Sequence, residues 1–149
     1  MIDMRWVPMM VLAGALCASC DSIGAQGTSP DAGLPASIKE VKARIREIAP
    51  ADLKSWNASG QRPVLIDVRE DSEWQAGHAA RALHISRWAL DERIGAAVPR
   101  KTTRMVLYCQ GGVRSALAAD KLQKMGYTNV FSLAGGFVAY QAAGLPVER

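Results

Sequence analysis

The stretch Met105-Val106-Leu107-Tyr108-Cys109-Gln110-Gly111-Gly112-Val113-Arg114-Ser115 decides how this chain is read. Its first four residues are apolar, the length and composition of a strand buried on both faces, as in a parallel sheet. A cysteine follows at once, then two glycines, then an arginine where a helix begins. That helix is expected over residues 113–125. Ala118, Leu122 and Met125 recur at helical spacing, Lys121 and Lys124 fall on the other side, and Gly126 sits where a left-handed cap would end it. The glycines let the backbone curl so that successive N–H groups point inward, a nest for an anion beside the positive end of the helix dipole. A thiol held there is favoured as thiolate, since a cysteine pKa of about 8.5 can fall to roughly 3.5–7.5 at a helix N-terminus. Cys109 is therefore expected to be a nucleophile at neutral pH. A small buried side chain closing a strand is the other reading of a lone cysteine, and it accounts for neither the glycines nor Arg114.

Outward from this stretch, residues 63–68, 82–85 and 130–133 also read as short strands, and Ile48 as the start of a shorter edge strand. Residues 51–58, 71–76, 88–96 and 137–143 read as helices between them. Such alternation predicts an α/β domain over residues 47–149, a parallel sheet of about five strands flanked by helices on both faces. Ligands of such sheets bind at the carboxyl ends of the strands, which points to the segment after Tyr108.

The chain has 149 residues, 49% of them apolar, which suits one ordinary core. Its 18 Lys and Arg against 14 Asp and Glu give a charge of +4. The basic residues are scattered, without runs or interleaved aromatics, which excludes a nucleic-acid surface. Three cysteines do not make a disulfide framework. Residues 6–20 carry no charge, Arg5 precedes them and small residues close the run, the layout of a secretory signal peptide over residues 1–19. Leu16-Cys17-Ala18-Ser19-Cys20 resembles a bacterial lipobox, with Cys17 where the pattern usually has Leu, and makes Cys20 a lipidation candidate. Cleavage near Ala25 and an uncleaved anchor are the other readings. The Cys17-x-x-Cys20 spacing also matches a redox or metal pair, but no helix start is present to lower a thiol pKa. An exported protein is expected, periplasmic or held to a membrane through Cys20. Residues 21–37, rich in Gly, Ser, Pro, Ala and Asp, read as a disordered tether, and residues 38–46 as a basic lead-in packed loosely on the domain.

The residues around Cys109 resemble the rhodanese superfamily. Leu65-Ile66-Asp67-Val68-Arg69 with Glu73, Gly77 and His78 is similar to the family's first block, and Val106-Leu107-Tyr108-Cys109 with Gly112, Arg114 and Ser115 to its active-site block. Val130, Leu133, Gly135, Gly136, Gly144, Pro146 and Val147 match its closing pattern, with Tyr140 where a Trp is frequent. One stretch departs, since Ala79, Ala80, Arg81, Ala82 and His84 stand where the family commonly has Ile, then Gly-Ala and an Asn.

The resemblance implies a rhodanese-type sulfurtransferase. The Cys109 thiolate would take the outer sulfur of thiosulfate, a persulfide or a polysulfide and pass it to cyanide, a thiol or a protein acceptor. Backbone N–H groups from Gln110 through Gly111, Gly112, Val113 and Arg114 to Ser115 would stabilise the persulfide, and Arg114 would complete the electrostatics and draw in an anionic donor. Neither metal nor organic cofactor is implied. Phosphatases and arsenate reductases related to the family place five residues between Cys and Arg, whereas this chain has four. A phosphatase or arsenate reductase and a non-catalytic sulfur-carrying or partner-binding module are the alternatives. Asp67 and Arg69 are expected to support the site, or to form an internal ion pair that fixes the loop. His78 reads as a turn residue rather than a general base, and His84 as a satisfied core or edge side chain. Gln110 stands where some members carry Arg for thiosulfate, which favours persulfide or polysulfide donors. Trp56, Trp74 and Trp88 read as packing.

Overall fold

The computed structural model describes residues 37–149. The signal segment, Cys17, Cys20, Ala25 and the tether up to residue 36 lie outside the described residues. In chain order the elements are α1 (Ile38–Arg44), β1 (Arg46–Ile48), α2 (Pro50–Ala58), β2 (Val64–Asp67), α3 (Asp71–Gln75), β3 (His78–Ala79), β4 (Leu83–His84), α4 (Leu90–Ala97), β5 (Met105–Tyr108), α5 (Val113–Lys124), β6 (Val130–Leu133), α6 (Gly136–Ala142) and β7 (Val147–Glu148). Five strands form a parallel sheet in the order β1-β6-β5-β2-β4, with β5 in the middle. The antiparallel β3 and β7 make a separate two-residue ribbon.

The pleat of β5 explains why its sequence is apolar throughout. Met105 and Leu107 join Ile66, Leu90, Ile94, Ala119 and Leu122 on one side of the sheet, whereas Val106 and Tyr108 join Leu53, Leu133, Phe137 and Tyr140 on the other. All four β5 residues are fully buried. Cys109, next in the alternation, falls on the side of Leu107. After β5 the chain passes to β6, away from β2 and β4, so the loop that follows lies where the winding reverses.

The lead-in differs from the loosely packed segment the sequence suggests. Ser37 caps α1 in a capping box with Glu40. Val41 is 1% exposed and belongs, with Ile45, to the same core as Leu107. Arg44 makes a two-pronged ion pair with Asp120 of α5, one arm Nη2 to Oδ2 at 3.1 Å. Arg46 already pairs with Phe131 in the sheet, so the folded body begins before residue 47, and Ile48 ends β1 rather than starting it. Other boundaries move by one or two residues. The fourth strand shrinks to Leu83–His84 because the Ala82 N–H turns back to the Ala79 carbonyl, and α4 starts at Leu90 because Ser86 to Ala89 form a turn.

Candidate active site

Cys109 leaves the carboxyl end of β5, and its sulfur accepts the Gly112 N–H at 3.1 Å. Gly112 has φ +95°, and a Cβ there would lie 3.2 Å from the Gly135 nitrogen and 3.4 Å from the Leu133 carbonyl, so conformation and space both call for glycine. The Gly112 carbonyl accepts the Ala116 N–H and the Ser115 hydroxyl, the latter at 3.1 Å. Val113, Arg114 and Ser115 thus supply the first-turn N–H groups of α5, which have no partner within the helix. Ser115 is fully buried, and its Oγ also meets Ser132 Oγ of β6 at 3.0 Å, tying the loop to the sheet.

What turns the loop inside out is α6. The Phe137 N–H donates to the Cys109 carbonyl at 2.7 Å and the Val138 N–H to the Gln110 carbonyl at 3.2 Å. Carbonyls of the reactive loop therefore cap another helix, which leaves the opposite edge of the loop to present N–H groups. The approach demands a glycine at 136, where φ is +57° and a Cβ would fall 2.3 Å from the Cys109 oxygen.

Asp67 and Arg69 form the internal pair. Asp67 is fully buried and Arg69 2% exposed. Arg69 Nε and Nη2 hold both carboxylate oxygens, Nη2 also reaches the Gly77 carbonyl at 2.8 Å, and Nη1 reaches Gln110 Oε1 at 3.2 Å. Its guanidinium lies 4.2 Å from the Phe137 ring centre. Burial opposes the Arg69 charge, and the hydrogen bonds and field of Asp67 more than restore it. The pair thereby fixes the Gln110 side chain from beneath.

Arg114, expected to complete the electrostatics of the loop, is clamped by Glu73 of α3, Nη1 to Oε2 and Nη2 to Oε1, both 2.6 Å. These hydrogen bonds draw the Glu73 carboxyl down to about 2 and push Arg114 further up. Arg114 also lies within electrostatic reach of the Cys109 sulfur. Glu73 is the site residue that sequence reasoning missed as a partner: the family block contains it, but its pairing spans 41 positions and only the fold reveals it.

The remaining candidates do not touch the sulfur. His78 Nδ1 donates to the Trp74 carbonyl at 3.2 Å and its ring stacks on Trp74. His84 Nε2 donates to the Arg69 carbonyl at 3.0 Å. Trp56 packs edge-on against Phe131. Trp88 is not packing, being 72% exposed with the Arg87 guanidinium 4.0 Å over its ring. It walls a cleft of about 170 Å³ shared with Leu90, Arg114, Leu117 and Lys121. A second cleft, of about 290 Å³, lies across the Arg114–Glu73 pair and is lined by Arg69, Glu73, Gln110 and Phe137. Among the described residues no group of His, Cys, Asp and Glu is arranged to hold a metal ion.

Known proteins resemble this chain in sequence and in fold. MoeZ of Mycobacterium tuberculosis, a probable adenylyltransferase/sulfurtransferase, is 35% identical over 108 residues, 72% of this chain and 28% of MoeZ. The chain thus spans little more than a quarter of that relative. The thiosulfate sulfurtransferase GlpE of Coxiella burnetii is 34% identical over 91 residues, 60% of this chain and 83% of GlpE. Among solved structures, RPA3614 of Rhodopseudomonas palustris, a protein of unknown function described as a possible tyrosine phosphatase, superposes with a TM-score of 0.69 at 29% identity, covering 78% of this chain and all of its own. The family model for the rhodanese-like domain matches residues 49–143, from the end of β1 through α6, and it is to this family that the chain belongs.

Proposed function

We propose that this protein is a sulfurtransferase that carries a sulfane sulfur on Cys109 from a small sulfur donor to a thiophilic acceptor. The observation that supports this most is the cradle: Cys109 Sγ accepts the Gly112 N–H at the N-terminus of α5, in a loop with four residues between Cys109 and Arg114. In the first half-reaction the Cys109 thiolate attacks the outer sulfur of the donor. The donor's S–S bond breaks and its electron pair leaves with the remaining fragment, as sulfite from thiosulfate or as a thiolate from a persulfide. In the second, cyanide or a thiolate attacks the outer sulfur of the persulfide and returns the Cys109 thiolate. The inward N–H groups stabilise the charged sulfur at both stages. Two relatives carry the name sulfurtransferase, one of them a thiosulfate sulfurtransferase, which supports the reaction class; a protein thiol would serve as acceptor by the same chemistry as a small one.

Mass measurement of the protein after incubation with thiosulfate or polysulfide tests the reading. A gain of one sulfur that cyanide removes is expected, and Cys109→Ser is expected to gain none; an adduct that persists in the serine variant overturns it. Phosphate release from an aryl phosphate ester would instead favour the phosphatase suggested for RPA3614. A persulfide that forms but is never passed on would identify a sulfur-carrying module. Export, with Cys20 as a lipid anchor, is proposed from residues 5–20 and is tested by cell fractionation and the mass of the mature N-terminus.

A further inference from the structure

The charges around Cys109 cancel in pairs. Arg69 is held by Asp67, Arg114 by Glu73, and in the adjoining cleft Lys121 meets Asp91 at 2.6 Å, whereas Arg87 only faces Glu70 at 3.8 Å and its buried Nε makes no hydrogen bond. Facing the single charge of a Cys109 thiolate are the α5 dipole, worth about half a unit charge, the Gly112 N–H and Arg114, whose charge Glu73 offsets. A dianion approaching this mouth meets, at Arg114, a cation already offset by Glu73, and a sulfur of its own sign. An organic persulfide brings at most one charge on its sulfurs, and its carbon part has somewhere to lie. The cleft beside Arg114 offers the exposed Trp88 ring, Leu117 and Ala118.

We propose that Glu73 is a specificity-determining residue: by occupying both outer nitrogens of Arg114 it disfavours dianionic oxysulfur donors and leaves the cradle to organic persulfides, whose hydrocarbon part rests against Trp88 and Leu117. The proposal rests on the sulfurtransferase reading. The step it selects is Cys109–S⁻ + R–S–SH → Cys109–S–SH + R–S⁻, in which a sulfur–sulfur bond forms as the donor's breaks and the electron pair leaves on the alkyl thiolate.

Glu73→Gln tests it, because an amide keeps the size and can still accept the Glu70 N–H that Glu73 now accepts at 3.1 Å. Glu73→Asp keeps the charge and serves as the conservative control, and Glu73→Ala repeats the test if the amide variant does not fold. The ratio of kcat/KM for thiosulfate to kcat/KM for benzyl persulfide is expected to rise about tenfold or more in Glu73→Gln. Glu73→Asp should keep the wild-type preference. A second readout needs no turnover: sulfate should protect Cys109 from iodoacetamide at about tenfold lower concentration in Glu73→Gln than in wild type. An unchanged donor ratio in an active, folded Glu73→Gln overturns the proposal. If neither donor loads wild-type Cys109, the sulfurtransferase reading and the persulfide assignment fall together, and the exclusion of dianions by Glu73 stands or falls on the sulfate protection alone.

Discussion

Two residues that hold the reactive loop in place decide whether the cradle exists. Gly136 is the tighter constraint, since a methyl group there collides with the Cys109 carbonyl while the positive φ resists any L side chain. Gly136→Ala is expected to cost about 1–3 kcal/mol and to slow alkylation of Cys109 relative to alkylation of the denatured protein; a melting curve and a timed iodoacetamide reaction check both. Arg69 is the other. Removing it strands the buried Asp67 carboxylate, so Arg69→Met should destabilise by about 3–5 kcal/mol, whereas Asp67→Asn with Arg69→Met, which removes both charges, should recover much of that loss in urea melts. At this scale the sequence was informative where backbone chemistry left a mark. The glycines, the cysteine and the Asp67–Arg69 spacing could be read directly. Side-chain partners far apart in the chain could not, which is why the Glu73 clamp on Arg114 left no mark in the sequence. Trp88 looked like packing because a large aromatic usually is, and its exposure is a property of the turn that ends at Leu90.

The elements with strong internal patterns were the legible ones. The strands β5 and β6 have the predicted bounds because each is a short apolar run between polar turns, and α5 stops within a residue of the expected place because Gly126 follows. The ribbon of β3 and β7 is too short to carry a period. The close packing of α1, not its helical spacing, was hidden by its charge, since four of its seven residues are Lys, Glu or Arg and only Val41 is buried. Its anchorage gives two predictions. A chain starting at Glu47 lacks Val41 and Ile45, and at about 1.5–3 kcal/mol per buried aliphatic side chain it should be less stable by an amount up to about 6 kcal/mol than one starting at Ser37; comparing their melting temperatures decides this. The second concerns acid. Asp120, under Arg44, is drawn from 3.8 to about 2, and Glu73, under Arg114, from 4.5 to about 2. A carboxyl lowered by folding adds stability that is complete above its unfolded value and disappears as pH falls through its folded one. Stability should therefore decline from about pH 4.5 towards 2, and Asp120→Asn should flatten part of that slope while lowering stability at neutral pH.

Across the whole molecule, the parallel order β1-β6-β5-β2-β4 brings the two blocks of sequence that carry the site to one end of the sheet, with Asp67 and Tyr108 side by side in register. This much of the design was legible from the alternation of strands and helices, because a buried central strand and a reversal of winding leave few places for a site. The pairing of charges was not, since it depends on where α3 and α5 meet. Leu107→Ala, at the centre of the sheet, should cost about 2–5 kcal/mol and lower the temperature at which Cys109 becomes fully reactive in step with the global melt. Because the carbonyls of Cys109 and Gln110 cap α6, the reactive loop and the last helix cannot open independently. The amides of Phe137 and Val138 consequently serve as built-in reporters: their deuterium uptake will register any loosening of the loop, including one caused by loading the sulfur, without a probe ever being attached to the cysteine.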